Sequence, residues 1–207
     1  MRNFSTPLIN KTKEYVAGFI ADNFTEKICY HNIDHTLEVV EACEFIGAKL
    51  KISKKDLEIV ILAAWFHDTG YYLGCENHEE ASANIARQYL QKEFIDSKII
   101  NKIAKCILST KIPQTPKNTL EKIICDADLF HLATEEFFHK SELLLHELTL
   151  HNQKMNLKCW LIKSKEFVES HNYHTSFGKE FLLPELAKNL ELLNLKIREY
   201  EPLDGHQ

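Results

Sequence analysis

One apolar stretch constrains the fold of this chain more than any other. The run from Ile61 to Phe66 is hydrophobic at every position, and it delivers His67 and Asp68 side by side before Gly70. Such a run is typical of a core helix. A buried imidazole and carboxylate need partners, and a divalent cation supplies both charge and directional bonds. The stretch therefore predicts a core helix that ends in a metal site, although a solvated helix terminus could carry the same dipeptide.

Few turn-forming residues accompany this run. The 207 residues include six glycines and five prolines, so long helices with short connections are favoured over many short strands. No internal repeat, low-complexity segment or linker interrupts the pattern. We therefore expect an all-α protein, a single-domain helical bundle over residues 1–207.

Capping residues and apolar spacing predict the helices. Ser53 and Thr119 are expected as N-caps, and Asn77 with Glu80 as a capping box. A break is expected at Pro184. The predicted helices span about 7–24, 32–50, 54–68, 78–94, 98–110, 120–132, 135–150, 157–170 and 185–200.

Two histidines stand at the start of the second predicted helix. If that helix has begun by Asn32, His31 and His35 lie four positions apart near one face, so both can face one cavity. This spacing indicates a ligand or catalytic pair. The alternative is a loop residue at His31 and a satisfied, half-buried imidazole at His35.

Two aspartates, Asp126 and Asp128, lie within the apolar sixth helix. Two carboxylates buried so close would repel each other and shift each other's pKa unless a cation or hydrogen-bond donors intervene. We expect one of the two to face water.

Several further polar residues are secondary candidates. His78 should lie at the rim of the site, at the start of a helix. Arg87 and Lys111 could pair with phosphate oxygens, although solvated surface roles are the alternative. The segment from His171 to His174 has a metal-like spacing, but its place between helices favours a structural or substrate-lining role.

Charge, hydropathy and cysteine content limit the classes of partner and the cellular compartment that we expect. The formal net charge of −5 argues against a nucleic-acid polymer, because phosphate backbones are held mainly by Lys and Arg. No stretch approaches the roughly 20 apolar residues that span a bilayer, so no membrane contact is expected. The six cysteines are spread singly, which favours free thiols in a reducing cytoplasm.

In chain order, His35, the His67-Asp68 pair and an aspartate within Asp126-Ala127-Asp128-Leu129 form the pattern H…HD…D. This pattern resembles the HD superfamily of metal-dependent phosphohydrolases, all-helical enzymes that include the cyclic-nucleotide phosphodiesterases. The resemblance covers about residues 28–133, and residues 134–200 would pack on this core as helices. The segment Tyr-His-Asn-x-x-His-Thr at residues 30–36 is similar to the phosphodiesterase branch.

The resemblance also implies roles. The implied metal ligands are His35, His67, Asp68 and Asp128. Asp128 is preferred to Asp126 because it follows a small residue and precedes an apolar one, and Asp126 would orient a ligand. His31 matches the position that protonates the leaving oxygen, and Asp68 would orient or deprotonate a water.

This donor set favours one divalent Mn, Fe, Co, Ni or Zn ion over Mg. The expected activity is hydrolysis of a phosphate monoester or diester, with a small nucleotide as the expected substrate. Two-metal branches carry an adjacent histidine pair near the place of Ser109 and Thr110 in this chain, although His78 could help to hold a second ion. A di-iron oxygenase and a metal- and nucleotide-binding regulatory module without turnover are the alternatives.

Overall fold

The computed structural model describes residues 4–23, 25–74, 76–151 and 155–199, and within these ranges the chain forms helices and no strand. This confirms the all-α prediction. The α-helices of the described ranges are α1 (Pro7–Asn23), α2 (Ile33–Lys49), α3 (Lys54–Phe66), α4 (His78–Lys92), α5 (Ser97–Ser109), α6 (Thr119–Asp128), α7 (Phe137–Leu150), α8 (Leu157–Ser170) and α9 (Leu183–Glu199). The ninth helix was expected to reach Tyr200, which lies outside the described residues. None of these helices is long and apolar enough to cross a bilayer.

Helix α3 is the central helix of the fold. Every residue from Ile59 to Phe66 is buried, and the helix packs against α1, α2, α5 and α6. A helix that is apolar all round is stable only when it is surrounded in this way. Ser53 caps its first turn by accepting a hydrogen bond from the Asp56 backbone N–H at 3.1 Å. The prediction of a core helix leading to His67 is confirmed.

A glycine lets two elements meet beside the end of α3. A 3₁₀ turn, Thr69–Leu73, follows the helix. A Cβ atom at Gly70 would collide with the backbone carbonyl of His78 and would lie 2.5 Å from the backbone nitrogen of Ser82. Only glycine therefore allows α4 to approach so closely.

The predicted capping box at Asn77 and Glu80 is wrong. Asn77 adopts a left-handed backbone conformation with φ of 53°, and its side chain does not cap α4. Lys111 donates a hydrogen bond to Asn77 Oδ1 at 2.9 Å and lies 3.8 Å from Glu80 Oε1. Because the lysine engages both side chains, they tie the segment after α5 to the start of α4 instead of closing a box.

Two other predicted helix boundaries shift. The N-cap of α6 is Asn118, whose Oδ1 accepts hydrogen bonds from the backbone of Leu120 and Glu121, so Thr119 is the first helical residue. The chain does not break at Pro184, because a π-helical turn, Gly178–Leu182, runs directly into α9. Proline is tolerated there because it lies in the first turn of α9.

Helix α9 fastens the C-terminal helices to the region after α6. It packs against a 3₁₀ turn, Phe130–Ala133, and against α8. The side-chain amide of Asn189 donates to the backbone carbonyls of Leu132 at 2.8 Å and Thr134 at 2.9 Å. These hydrogen bonds fix the segment after α6 against α9.

Candidate metal centre

The four predicted ligands come together at one point, although they lie on three different helices or at their ends. The Nε2 atoms of His35 and His67 are 3.3 Å apart. Asp128 Oδ1 lies 3.3 Å from the first and 3.6 Å from the second, and Asp68 Oδ2 lies 3.4 and 3.0 Å from them. Ligand atoms of His35, His67 and Asp128 are all within 4.8 Å of one another. That they bind a metal stays a prediction.

Local structure orients one imidazole of this cluster. His67 follows the last turn of α3, and its Nδ1 lies 2.8 Å from the backbone carbonyl oxygen of Ala64. A carbonyl can only accept, so Nδ1 carries the proton and Nε2 presents a lone pair to the cluster. Two imidazole Nε2 atoms at 3.3 Å then require a proton or a cation between them.

The charges of the cluster lead to the same requirement. Burial would lower the pKa of His67, but the charge of Asp68 and the hydrogen bond to Asp128 raise it well above its usual value. Burial would also lower the pKa of His35, but hydrogen bonds to Asp128 and Asp68 raise it above its usual value. Two carboxylates, the buried Asp68 and the partly exposed Asp128, thus draw positive charge to this point. A divalent transition metal fits this mixed nitrogen and oxygen donor set.

His31 lies beside the cluster and is held by a residue that the sequence reading missed. It precedes α2, whose N-cap is Asn32, and its ring centroid is 6.1 Å from that of His35. The fully buried carboxylate of Glu147, on α7, contacts His31 Nδ1 at 2.5 Å. It also accepts the backbone N–H groups of Tyr30 at 2.8 Å and His31 at 3.1 Å.

Glu147 is therefore ionised in the fold. Burial would raise the pKa of Glu147, but the hydrogen bond and charge of His31, together with hydrogen bonds from the Tyr30 backbone and the Tyr71 side chain, lower it to about 2. The ring of Tyr71 stacks on that of His31 with centroids 3.9 Å apart. Together, the carboxylate and the stacked ring fix the imidazole in one orientation. The only signal for Glu147 in the sequence is its place on the same face of α7 as Lys140 and Leu144.

Comparison with known proteins identifies this arrangement. Residues 32–133, which carry all four clustered ligands, match the family model of the HD domain. The chain carries an HD domain. The fold is similar to the crystal structure of a predicted HD superfamily hydrolase from an uncultured Thermotogales bacterium, with a TM-score of 0.58 and 19% identity over 91% of this chain and 92% of that one. Among curated proteins, no sequence matches the chain.

The start of α4 forms the rim of the candidate metal centre. His78 Nε2 lies 3.6 Å from Asp68 Oδ1 and 3.6 Å from Glu79 Oε1, which is longer than a direct hydrogen bond. Glu79 is buried at 7% exposure. His78 thus lies on the side of Asp68 opposite to His35 and His67, where the sequence predicted a secondary candidate.

Two predicted phosphate-binding residues have other partners. Arg87 donates to Asn84 Oδ1 at 2.8 Å on the exposed side of α4. Lys111 is held by Asn77, as described above. Their alternative roles as surface residues match these contacts.

Asp126 forms its hydrogen bonds away from the predicted ligands, contrary to expectation, and of the two aspartates it is Asp128 that is partly exposed. Asp126 is fully buried, and its carboxylate accepts hydrogen bonds from the backbone of His174 at 2.7 Å and Thr175 at 2.9 Å, and from the Thr175 hydroxyl at 2.7 Å. A Cβ atom at Gly178 would lie 2.5 Å from Asp126 Oδ2. Asp126 therefore anchors the segment before α9, which gives the His171–His174 segment a structural role.

The candidate metal centre opens into a cavity of about 380 Å³. One end is lined by His31, Asp68 and Asp128, and the wall beyond them is formed largely by α7 and α8. His131, which lies in the 3₁₀ turn after Asp128, also lines the cavity. Burial and the neighbouring His35 lower the pKa of His131 to about 3, so this imidazole is neutral near physiological pH.

Proposed function

We propose that this HD domain hydrolyses a phosphate monoester or diester with a metal-activated water, and that the ester is a nucleotide. The observation that carries the proposal is His31. Its imidazole is fixed by the ionised Glu147 at the end of the cavity where the four candidate ligands meet. A site that only binds does not need an oriented proton donor at this place.

His35, His67, Asp68 and Asp128 would hold the ion. When bound, a divalent metal lowers the pKa of a water molecule to supply hydroxide near neutral pH and withdraws charge from the phosphoryl group. The donor set favours Mn, Fe, Co, Ni or Zn over Mg. A second ion could be held by His78 and Glu79 on the far side of Asp68, whose Oδ1 lies 3.6 Å from His78 Nε2.

The residues of the chain would handle the protons. Asp68 would orient the attacking water or accept its proton. As the bond from the water oxygen to phosphorus forms, the ester bond breaks and the leaving oxygen needs a proton. Glu147 accepts a hydrogen bond from the Nδ1–H group of His31. The other ring nitrogen of His31, Nε2, is therefore the atom that would deliver a proton to the leaving oxygen.

The segment at the end of α5 supports hydrolysis over a di-iron oxygenase. Ser109 and Thr110 occupy the region where two-metal branches carry a histidine pair. Their hydroxyl groups donate to the backbone carbonyls of Cys106 at 2.7 Å and Ile107 at 2.8 Å, within their own helix. These residues therefore add no nitrogen donor to the site.

A screen of nucleotides and simple phosphate esters, with Mn, Co, Ni or Mg added to the purified protein, tests the proposal. We expect metal-dependent release of phosphate or of a phosphomonoester. A product that forms only with oxygen would favour the oxygenase. Metal binding without turnover of any ester would favour the regulatory module.

A further inference from the structure

The cavity wall beyond the metal site is built from the faces of two helices. The cavity-lining residues of α7 are Phe137, Lys140, Ser141 and Leu144, and those of α8 are Trp160, Lys163, Ser164, Phe167 and Val168. Within each helix the spacing is three or four residues, so each set is one continuous face. Both faces present bulky apolar or aromatic side chains about two turns apart, with lysine and serine side chains between them.

Three of the five polar side chains of this wall are already engaged, and the other two, Lys163 and Ser164, lie on α8. Lys140 is buried and forms an ion pair with Glu38 at 2.6 Å. The indole nitrogen of Trp160 donates to Ser141 Oγ at 2.8 Å. Because these donors already have partners, the wall offers ring and alkyl surface more than hydrogen bonds.

The two ends of the cavity therefore suit different parts of one molecule. The carboxylates among its lining residues are Asp68, Glu79 and Asp128, all at the metal end. A phosphoryl group alone is far smaller than a cavity of about 380 Å³. A sugar or polyol held against the apolar wall would lose hydrogen bonds to water without replacement, whereas a flat ring would not.

We infer that the face of α8 binds an uncharged aromatic ring of the substrate, and that Trp160 and Phe167 determine this specificity. The inference rests on the proposed function, since it assigns the ester's organic group. A nucleobase and a simple aryl group share the chemistry that this wall recognises. Ring surfaces of this kind favour stacking over the reading of hydrogen bonds.

The test uses two matched pairs of ligands with the metal-loaded, full-length protein. Benzylphosphonate and methylphosphonate differ by the ring and have no ester bond to hydrolyse, so calorimetry measures binding apart from turnover. AMP and ribose 5-phosphate share the scissile bond and differ by the base, so their kcat/KM values show whether the ring is a nucleobase. We expect benzylphosphonate to bind about tenfold tighter or more, as stacking of one ring provides.

Variants assign the preference to α8. Trp160→Ala or Phe167→Ala should remove most of the advantage of benzylphosphonate over methylphosphonate, and Trp160→Phe should retain much of it. Ile162→Ala is the matched control, since Ile162 lies on the same helix, is 38% exposed and does not line the cavity. Circular dichroism verifies that each variant is folded.

The outcomes separate the two proposals. Equal affinities of the wild-type protein for the two phosphonates, or an advantage that survives both alanine substitutions, would overturn the inference even if esters are hydrolysed. A ring-dependent affinity without hydrolysis of any ester would uphold the inference and overturn the proposed function. Ring-dependent binding with equal kcat/KM for AMP and ribose 5-phosphate would uphold the ring and exclude the nucleobase.

Discussion

The two ends of the cavity are built in different ways. At the metal end, three helix termini converge: His35 lies in the first turn of α2, His67 follows the last residue of α3, and Asp128 is the last residue of α6. At the other end, α7 and α8 contribute side chains from along their lengths. The first end offers charged ligand atoms, and the second offers apolar surface. Under the proposed function, this difference would separate residues required for hydrolysis from residues that select the substrate.

The largest expected effect is at the metal end. His67→Ala or Asp68→Ala should remove the bound metal and reduce hydrolysis to background, because each substitution deletes a ligand atom from the buried cluster. Metal content and phosphate release of the purified variants measure this. His139→Ala is the control, since His139 is exposed and contacts Glu136. Full metal retention in both ligand variants would show that the centre lies elsewhere.

His31 should separate chemistry from metal binding. His31→Ala is expected to lower kcat by about 10²–10⁴-fold, as loss of a general acid does, while metal content stays unchanged. Turnover of a preferred ester and metal analysis of the same sample are the two readouts. Loss of the metal together with activity would instead make His31 a ligand.

Substitution of Glu147 should also lower kcat, by a smaller factor than substitution of His31. Glu147→Gln keeps the shape of the side chain but removes the charge that faces His31 Nδ1, so we expect kcat to fall by about 10–100-fold, as for other orienting partners. The expected change is in kcat more than in KM. Unchanged kcat across the pH profile would mean that Glu147 acts only in folding.

Lowering the pH should weaken metal binding by the candidate ligands, and it should leave the apolar wall of the cavity unchanged. Despite burial, Asp68 and Asp128 raise the pKa values of His67 and His35, so both imidazoles take up protons early as the pH falls. Ligands must be deprotonated to bind metal, so affinity should fall about tenfold per pH unit for each proton displaced. Calorimetric titrations with metal at a series of pH values measure this, and a pH-independent affinity would contradict it.

Substitution of Asp126 should have the smallest effect on activity. Both of its oxygens accept backbone N–H groups, from His174 and Thr175. Asn offers one oxygen and turns an amide towards the other donor, so Asp126→Asn should cost about 1–3 kcal/mol of stability. Denaturant unfolding measures the loss. Metal content should be unchanged; its loss would show that Asp126 supports the centre after all.

The residues that cluster at the metal end could be predicted from the sequence, whereas the residues of the apolar wall could not. The ligands lie next to recognisable features, such as the apolar run before His67, and few arrangements satisfy buried charges of this kind. The face of α8 shows the same three- and four-residue spacing that any core helix shows. Whether such a face meets a core or a cavity depends on the packing of distant elements.

Long-range contacts also explain the errors. Glu147 meets His31 across 116 positions of the chain, so its place on one face of α7 does not reveal this contact in the sequence. Asp126 and Asp128 are two residues apart on one helix, yet one accepts hydrogen bonds from the segment before α9 and the other faces the cluster. Asn77 does not cap α4, since its backbone is left-handed instead of extended, and its side chain accepts a hydrogen bond from Lys111, which is distant in sequence.

The most direct test of the central claim is X-ray diffraction from crystals of the metal-loaded protein, recorded at the absorption edge of the metal. We predict an anomalous peak within about 2.0–2.2 Å of ligand atoms of His35, His67, Asp68 and Asp128, the distances typical of such donors. A peak found only elsewhere, or no peak in a sample that contains metal, would contradict the account.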